Sequence, residues 1–134
     1  MQKIEHIGIA VKNLSISLPL FEKLLNSRCY KTEMVESERV ATAFFKTGDA
    51  KIELLESTEN GSAIDSFIEK KGEGIHHIAF LVEDIYTEMD RLKKEGFILT
   101  SELPRKGADN KLVCFLHPKT TNHILIELCQ EIKP

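Results

Sequence analysis

The feature that most constrains this chain is a strand-like stretch that occurs twice. Ile4-Glu5-His6-Ile7-Gly8-Ile9-Ala10-Val11, near the start, returns as Ile75-His76-His77-Ile78-Ala79-Phe80-Leu81-Val82. A second pair follows in the same order, since Lys51-Ile52-Glu53-Leu54-Leu55 returns as Leu125-Ile126-Glu127-Leu128-Cys129. His6 and His77 hold equivalent places, and so do Glu53 and Glu127. Repetition on this scale reads as two copies of one supersecondary unit, each with an apolar face that a single copy leaves uncovered.

The elements within each copy follow from periodicity. Lys3 to Val11 alternates with period two, with Ile7, Ile9 and Val11 on one face and His6, Gly8 and Ala10 on the other. The second face is unusual, because two very small residues follow the histidine and leave space above the strand. Asn13 or Ser15 can cap a helix over Leu14 to Leu25, where Leu18, Phe21, Leu24 and Leu25 recur at helical spacing. Cys29 to Val35, Val40 to Lys46 and Ala50 to Glu56 read as strands, separated by the Glu36–Arg39 turn and by Thr47-Gly48-Asp49. The first module, residues 3–56, is therefore βαβββ.

Residues 57–73 read as a connection holding a short amphipathic helix marked by Ile64, Phe67 and Ile68. The second module, residues 74–129, repeats the order. It has a strand over Ile75 to Val82, Asp84 as a cap, a helix over Ile85 to Glu95 stopped by Gly96, and strands over Phe97 to Ser101, Leu112 to Leu116 and Ile124 to Cys129. Leu103 to Asn110 reads as a loop and Glu131 to Pro134 as a frayed tail. The expectation is one α+β domain of two modules with eight strands.

Composition narrows the function classes. At 134 residues, a chain can bury roughly two-thirds of its unfolded surface. A net charge of −3 argues against general nucleic-acid binding, which needs a basic stripe. No apolar run approaches the ~20 residues of a membrane span, and the N-terminus carries no signal-peptide core. Three cysteines, Cys29, Cys114 and Cys129, form no CxxC pair and read as small core residues in a reducing compartment. The expected location is cytoplasmic.

The repeated residues suggest chemistry. Histidine nitrogen and carboxylate oxygen are the usual mixed donors for borderline divalent ions. Each module offers one histidine on its first strand and one glutamate on its last. His76 and His77 point to opposite faces, and the repeat register selects His77 because it matches His6. A single strand-borne histidine is more often structural than a ligand, and a glutamate flanked by Ile and Leu is often just the outward member of a strand. Two pairs obeying one repeat, with a small residue after each histidine, shift the balance toward a metal site.

Taken together, the paired HIGIAV and HHIAFLV strands with KIELLE and LIELC resemble the vicinal oxygen chelate (glyoxalase-like) superfamily, over about Ile4 to Leu128. Gly72-Glu73-Gly74-Ile75-His76-His77-Ile78-Ala79, Lys106-Gly107-Ala108 and Phe115-Leu116-His117-Pro118-Lys119 are similar to its methylmalonyl-CoA epimerase family. The resemblance implies two βαβββ modules forming a cupped, mixed, eight-stranded sheet around a divalent ion held by His6, Glu53, His77 and Glu127. The ion would be Co, Mn, Zn, Ni or Fe. The implied reaction interconverts the (2R) and (2S) epimers of methylmalonyl-CoA by proton transfer at C2 through a metal-stabilised enolate. It assigns Glu127 as one catalytic base and a residue of the turn between the second and third strands, Glu36–Arg39, as the other, for which Glu38 is the first candidate and Glu36 the fallback. Ser37, Gly107, Ala108, Lys111, His117 and Lys119 are candidates for contacts to the acyl-CoA, with Arg105 and Lys106 close by in the sequence. A homodimer is the implied assembly. The alternatives are a glyoxalase-type isomerase (lactoylglutathione lyase) and a non-catalytic small-molecule-binding protein on the same scaffold. A ring-cleaving dioxygenase fits less well, because its two-His-one-carboxylate triad leaves the fourth donor unexplained.

Overall fold

A computed structural model describes residues 1–133. The elements are β1 (Lys3–Ala10), α1 (Leu14–Leu25), β2 (Lys31–Val35), β3 (Val40–Thr47), β4 (Ala50–Ser57), α2 (Ala63–Lys71), β5 (Gly74–Leu81), α3 (Ile85–Lys94), β6 (Arg105–Lys106), β7 (Lys111–Leu116) and β8 (Ile126–Glu131), with 3₁₀ turns at Glu36–Glu38 and Pro118–Thr120. This is the α+β class expected, with the order β-α-β-β-β in each module. The chain divides into two compact units, one of residues 6–76 and one of residues 1–5 with residues 77 onward.

In the first unit the strand order is β2-β3-β4-β1. β1 and β4 run parallel, while β2–β3 and β3–β4 are antiparallel, so the sheet is mixed. Helix α1 starts where Asn13 accepts the Ser15 N–H at 2.9 Å, and it ends at Asn26 in the left-handed conformation. Leu14, Leu18, Phe21 and Leu25 on α1 pack with Cys29 against Ile9, Val11, Ala43, Phe45, Ile52 and Leu54. That apolar face takes the odd-numbered residues of β1, as the alternation predicted. Pro19 lies inside α1 without breaking it. Helix α2 is capped by the buried Ser62, whose hydroxyl accepts the Asp65 N–H at 3.0 Å.

In the second unit the order is β5-β8-β7-β6, with β5–β8 parallel and the other pairs antiparallel. Ile85, Met89 and Leu92 of α3 bury against Val82, Cys114, Leu116 and Leu128. Asp84 caps α3 by accepting the Tyr86 and Thr87 N–H groups at 3.1 and 3.2 Å. At the start of the chain, the Gln2 N–H donates to the Leu81 carbonyl at 2.8 Å.

Three expectations need correction. Phe97 to Ser101 is not a strand and makes only an isolated bridge, Leu99 to Leu116. Its backbone reaches β7 through two bonds, Thr100 N–H to the Phe115 carbonyl at 2.9 Å and His117 N–H to the Ile98 carbonyl at 2.7 Å. The strand that completes this sheet is instead Arg105–Lys106, within the segment expected to be a loop. It pairs with Val113 and Leu112 because the tight Gly107–Asn110 turn folds it back. The tail is also less frayed than expected. Glu131 belongs to β8, and the Ile132 N–H donates to the Asn110 carbonyl at 3.2 Å. Pro134 lies outside the described residues.

Candidate metal centre

In each module one sheet face is covered by its helix, and the opposite face carries the polar repeat. Period two puts His6, Gly8 and Ala10 on the face away from α1. Parallel register sets Gly8 beside Glu53, and antiparallel register sets Phe44 on the other side of Glu53. His6 Nε2 lies 3.3 Å from Glu53 Oε1, with both side chains at least nine-tenths buried. The second module repeats this construction. Ala79 is beside Glu127 on one side and Phe115 on the other, and His77 Nε2 lies 3.2 Å from Glu127 Oε1.

Two donors held ~2.1 Å from one ion, at angles between octahedral and tetrahedral, lie roughly 3.0–3.4 Å apart. Both pairs meet that separation. A buried carboxylate needs a positive partner to offset its lost hydration, and an imidazole nitrogen beside it can share an ion with it. The residues present therefore fit a divalent ion. His76 is not part of either pair. It is half-buried, and its ring meets Phe67 of α2 edge-on, with centroids 5.0 Å apart.

The turn expected to hold the second base is a 3₁₀ turn over Glu36–Glu38. Arg39 follows it with φ +56°, and its guanidinium donates to the Gly61 carbonyl at 3.1 Å. Glu38 is half-buried, whereas Glu36 and Ser37 are exposed.

Three of the proposed substrate contacts look different in the structure. Lys111 is buried, with its ammonium 3.2 Å from the Asp109 carbonyl and 3.4 Å from Asp109 Oδ2, so it is not a surface cation. The Gly107 N–H donates to the Lys111 carbonyl at 2.9 Å, so it is already used by the β6–β7 turn. An added Cβ at Gly107 would come within 3.0 Å of the Val113 methyls, which gives this glycine a packing reason. His117 Nδ1 accepts the Lys119 N–H at 3.0 Å and caps the turn that follows. Lys119 is exposed and Ala108 half-buried.

Sequence reading missed the aromatic side of the site. The Phe115 ring stands edge-on to His77, with centroids 5.8 Å apart and planes at 87°. The signal was present, because pairing Leu112–Leu116 antiparallel to the Glu127 strand brings Phe115 opposite Glu127.

Comparison with known proteins gives the family. Residues 5–115 match the profile of the Glyoxalase/Bleomycin resistance protein/Dioxygenase superfamily. The chain belongs to this superfamily. Among members of the superfamily, it is 38% identical to the ethylmalonyl-CoA/methylmalonyl-CoA epimerase of Cereibacter sphaeroides, over 96% of this chain and 97% of that one. It superposes on Streptomyces coelicolor methylmalonyl-CoA epimerase in complex with 2-nitronate-propionyl-CoA with a TM-score of 0.93, at 30% identity and 99% coverage of both chains. A methylmalonyl-CoA epimerase solved with methylmalonyl-CoA and NH4+ gives a TM-score of 0.92 at 31% identity, covering 98% of this chain and 95% of that one. The superfamily fold thus accounts for nearly the full length. No helix among the described residues is long and apolar enough to cross a membrane.

Proposed function

We propose that this chain interconverts the two C2 epimers of methylmalonyl-CoA, with a divalent ion held by His6, Glu53, His77 and Glu127. The observation that carries the reading is that each module presents a buried histidine–carboxylate pair at ligating separation. The near-full-length likeness to proteins named as epimerases selects the substrate class. A bound ion supplies Lewis acidity, which stabilises negative charge developing on the substrate's thioester oxygen by several kcal/mol.

The chain's own residues divide the remaining work. The C2 proton lies between a thioester and a carboxylate, so its removal spreads charge onto oxygen. Inverting C2 needs a base on one face and an acid on the other, each worth ~10²–10⁴-fold. Glu127 takes one role. An ion held there would lower the basicity of the Glu127 carboxylate. Glu38 takes the other, in preference to Glu36, because it is half-buried whereas Glu36 is exposed, on the turn that leads into β3, whose Phe44 is the register partner of Glu53. Lys119 and Ser37, both exposed, are candidate contacts for the anionic parts of the acyl-CoA. The assembly is a homodimer in this reading. The exposed ridge Ile16, Leu20 and Leu24 on α1 is centred on Leu20, so it can meet a second copy of itself in antiparallel fashion.

The test is incubation of one methylmalonyl-CoA epimer with metal-loaded protein in D₂O. Deuterium uptake at C2 together with the opposite epimer is the expected result. No uptake, or turnover of methylglyoxal with glutathione in its place, would overturn the assignment. Metal analysis of the purified protein identifies the ion, and sedimentation gives the oligomer.

A further inference from the structure

Each module carries the same row of side chains on its ligand face, and ligation accounts for only half of that row. In the second module Phe115 is the register partner of Glu127 and stands edge-on to His77 at 5.8 Å. The Arg105 guanidinium lies 5.9 Å from the centroid of that ring. In the first module Phe44 is the register partner of Glu53, and the Lys31 ammonium lies 5.8 Å from its centroid. Histidine, glutamate, phenylalanine and cation thus recur in the same order.

The recurrence is not a simple consequence of strand register. Lys31 is the register partner of Phe44 itself, whereas Arg105 is the partner of Val113 and reaches Phe115 along the diagonal. Two different backbone positions deliver a cation to equivalent rings. Cross-strand neighbours have Cβ atoms ~4.5–5.5 Å apart, so a Phe opposite a Glu walls one side of that carboxylate and restricts its rotamers. An edge-on ring also fixes the plane of an imidazole. A cation within about 6 Å of the ring centroid is attracted to the π system and fixes the ring in turn.

We propose that Phe115 and Phe44 are positioning residues for ion ligation. Phe115 holds His77 and Glu127, Phe44 holds Glu53, and Arg105 and Lys31 hold the two rings. The inference rests on the ion site proposed above. Its test is Co²⁺ affinity, measured by chelator competition on the metal-stripped protein, alongside thermal unfolding. Phe115→Leu and Phe44→Leu are expected to bind Co²⁺ about 10–100-fold more weakly, as loss of a ligand-orienting neighbour does. Phe115→Tyr keeps the ring and stays near wild type. Arg105→Gln, at an exposed position, weakens binding about two- to fivefold, the equivalent of one exposed cation–π contact. Leucine variants that unfold earlier but keep wild-type Co²⁺ affinity would show a purely structural role and overturn the proposal. If they do not fold, Arg105→Gln decides, and unchanged affinity there also overturns it. Wild-type protein that binds no Co²⁺ would overturn the ion site and this inference together, whereas tight wild-type binding with unaffected variants overturns the inference alone.

Discussion

Ala79 is the strand partner of Glu127, and Gly8 holds the same place beside Glu53. In both modules the carboxylate's neighbour on the parallel strand is one of the two smallest residues. The free space lets the histidine two residues earlier lean over and bring Nε2 to 3.2 or 3.3 Å from the carboxylate oxygen. The two modules then predict each other's tolerance. Gly8→Ala copies what the second module already has, and it should leave metal affinity within about twofold. Ala79→Leu drives a branched chain into a fully buried position. It should cost ~1–3 kcal/mol by overpacking and separate the pair. Isothermal titration with Co²⁺ and thermal unfolding of both variants check this.

His76 and His77 are adjacent but should behave differently. His77→Ala removes a donor and should abolish stoichiometric metal binding. His76→Ala loses an edge-on contact to Phe67, worth ~0.5–1.5 kcal/mol, and should keep the ion. Equal loss of metal in both would show that the repeat selects the wrong histidine.

How much of this was legible in the sequence depended on the range of the interaction. Period-two alternation and a repeat are local signals, and they identified both sheet faces and all four candidate donors. Helix α1 was bounded correctly because Asn13 and the apolar spacing mark it locally. Phe97 to Ser101 failed because its apolar pattern suits a strand, while its backbone bonds are few and depend on where Leu116 runs. Arg105–Lys106 was missed because two residues carry no periodicity, and only the Gly107 turn makes them a strand. The burial of Lys111 could not be read ahead, because it is decided by a partner, Asp109, on a turn whose shape the sequence does not spell out.

Burial raises the Cys114 thiol above its ordinary value, with the Ser101 contact, the Arg105 charge and the Phe115 carbonyl acting in the opposite direction. A group whose folded pKa is raised favours the folded state fully below its unfolded pKa. That contribution is lost as pH rises from about 8.5, the ordinary thiol value, through the folded value. Stability should therefore fall above about pH 8.5, and Cys114→Ala should lessen the decline. Thiol titration of the native protein at pH 8 should leave Cys114 unmodified until denaturant is added.

Glu88 shows the opposite sign. A hydrogen bond from Arg91, one turn along α3, together with its charge and that of the N-terminus, lowers this carboxyl. Its contribution is present above the unfolded carboxyl value near 4.3 and is lost as pH falls through the folded value. Because the pair faces solvent, screening limits it to about 0.3–0.5 kcal/mol. Glu88→Gln should lower Tm slightly at pH 7 in low salt, and the gap to wild type should close at pH 3 or in high salt.

The two candidate turn carboxylates can be separated without disturbing the ion. Glu38 is half-buried and Glu36 is exposed, on a 3₁₀ turn whose exit is fixed by Arg39. Neither is a proposed ligand, so replacing either should leave Co²⁺ affinity unchanged. Glu38→Gln keeps the shape of the side chain but cannot accept a proton at the carboxylate. It should lower epimerisation by ~10²–10⁴-fold. With Glu127 intact, exchange from the C2 face that Glu127 serves should persist with one epimer and vanish with the other. Glu36→Gln should stay within about twofold of wild type. Comparing deuterium uptake from each epimer with net inversion separates the two bases. Loss of activity in Glu36→Gln with retention in Glu38→Gln would transfer the role to Glu36.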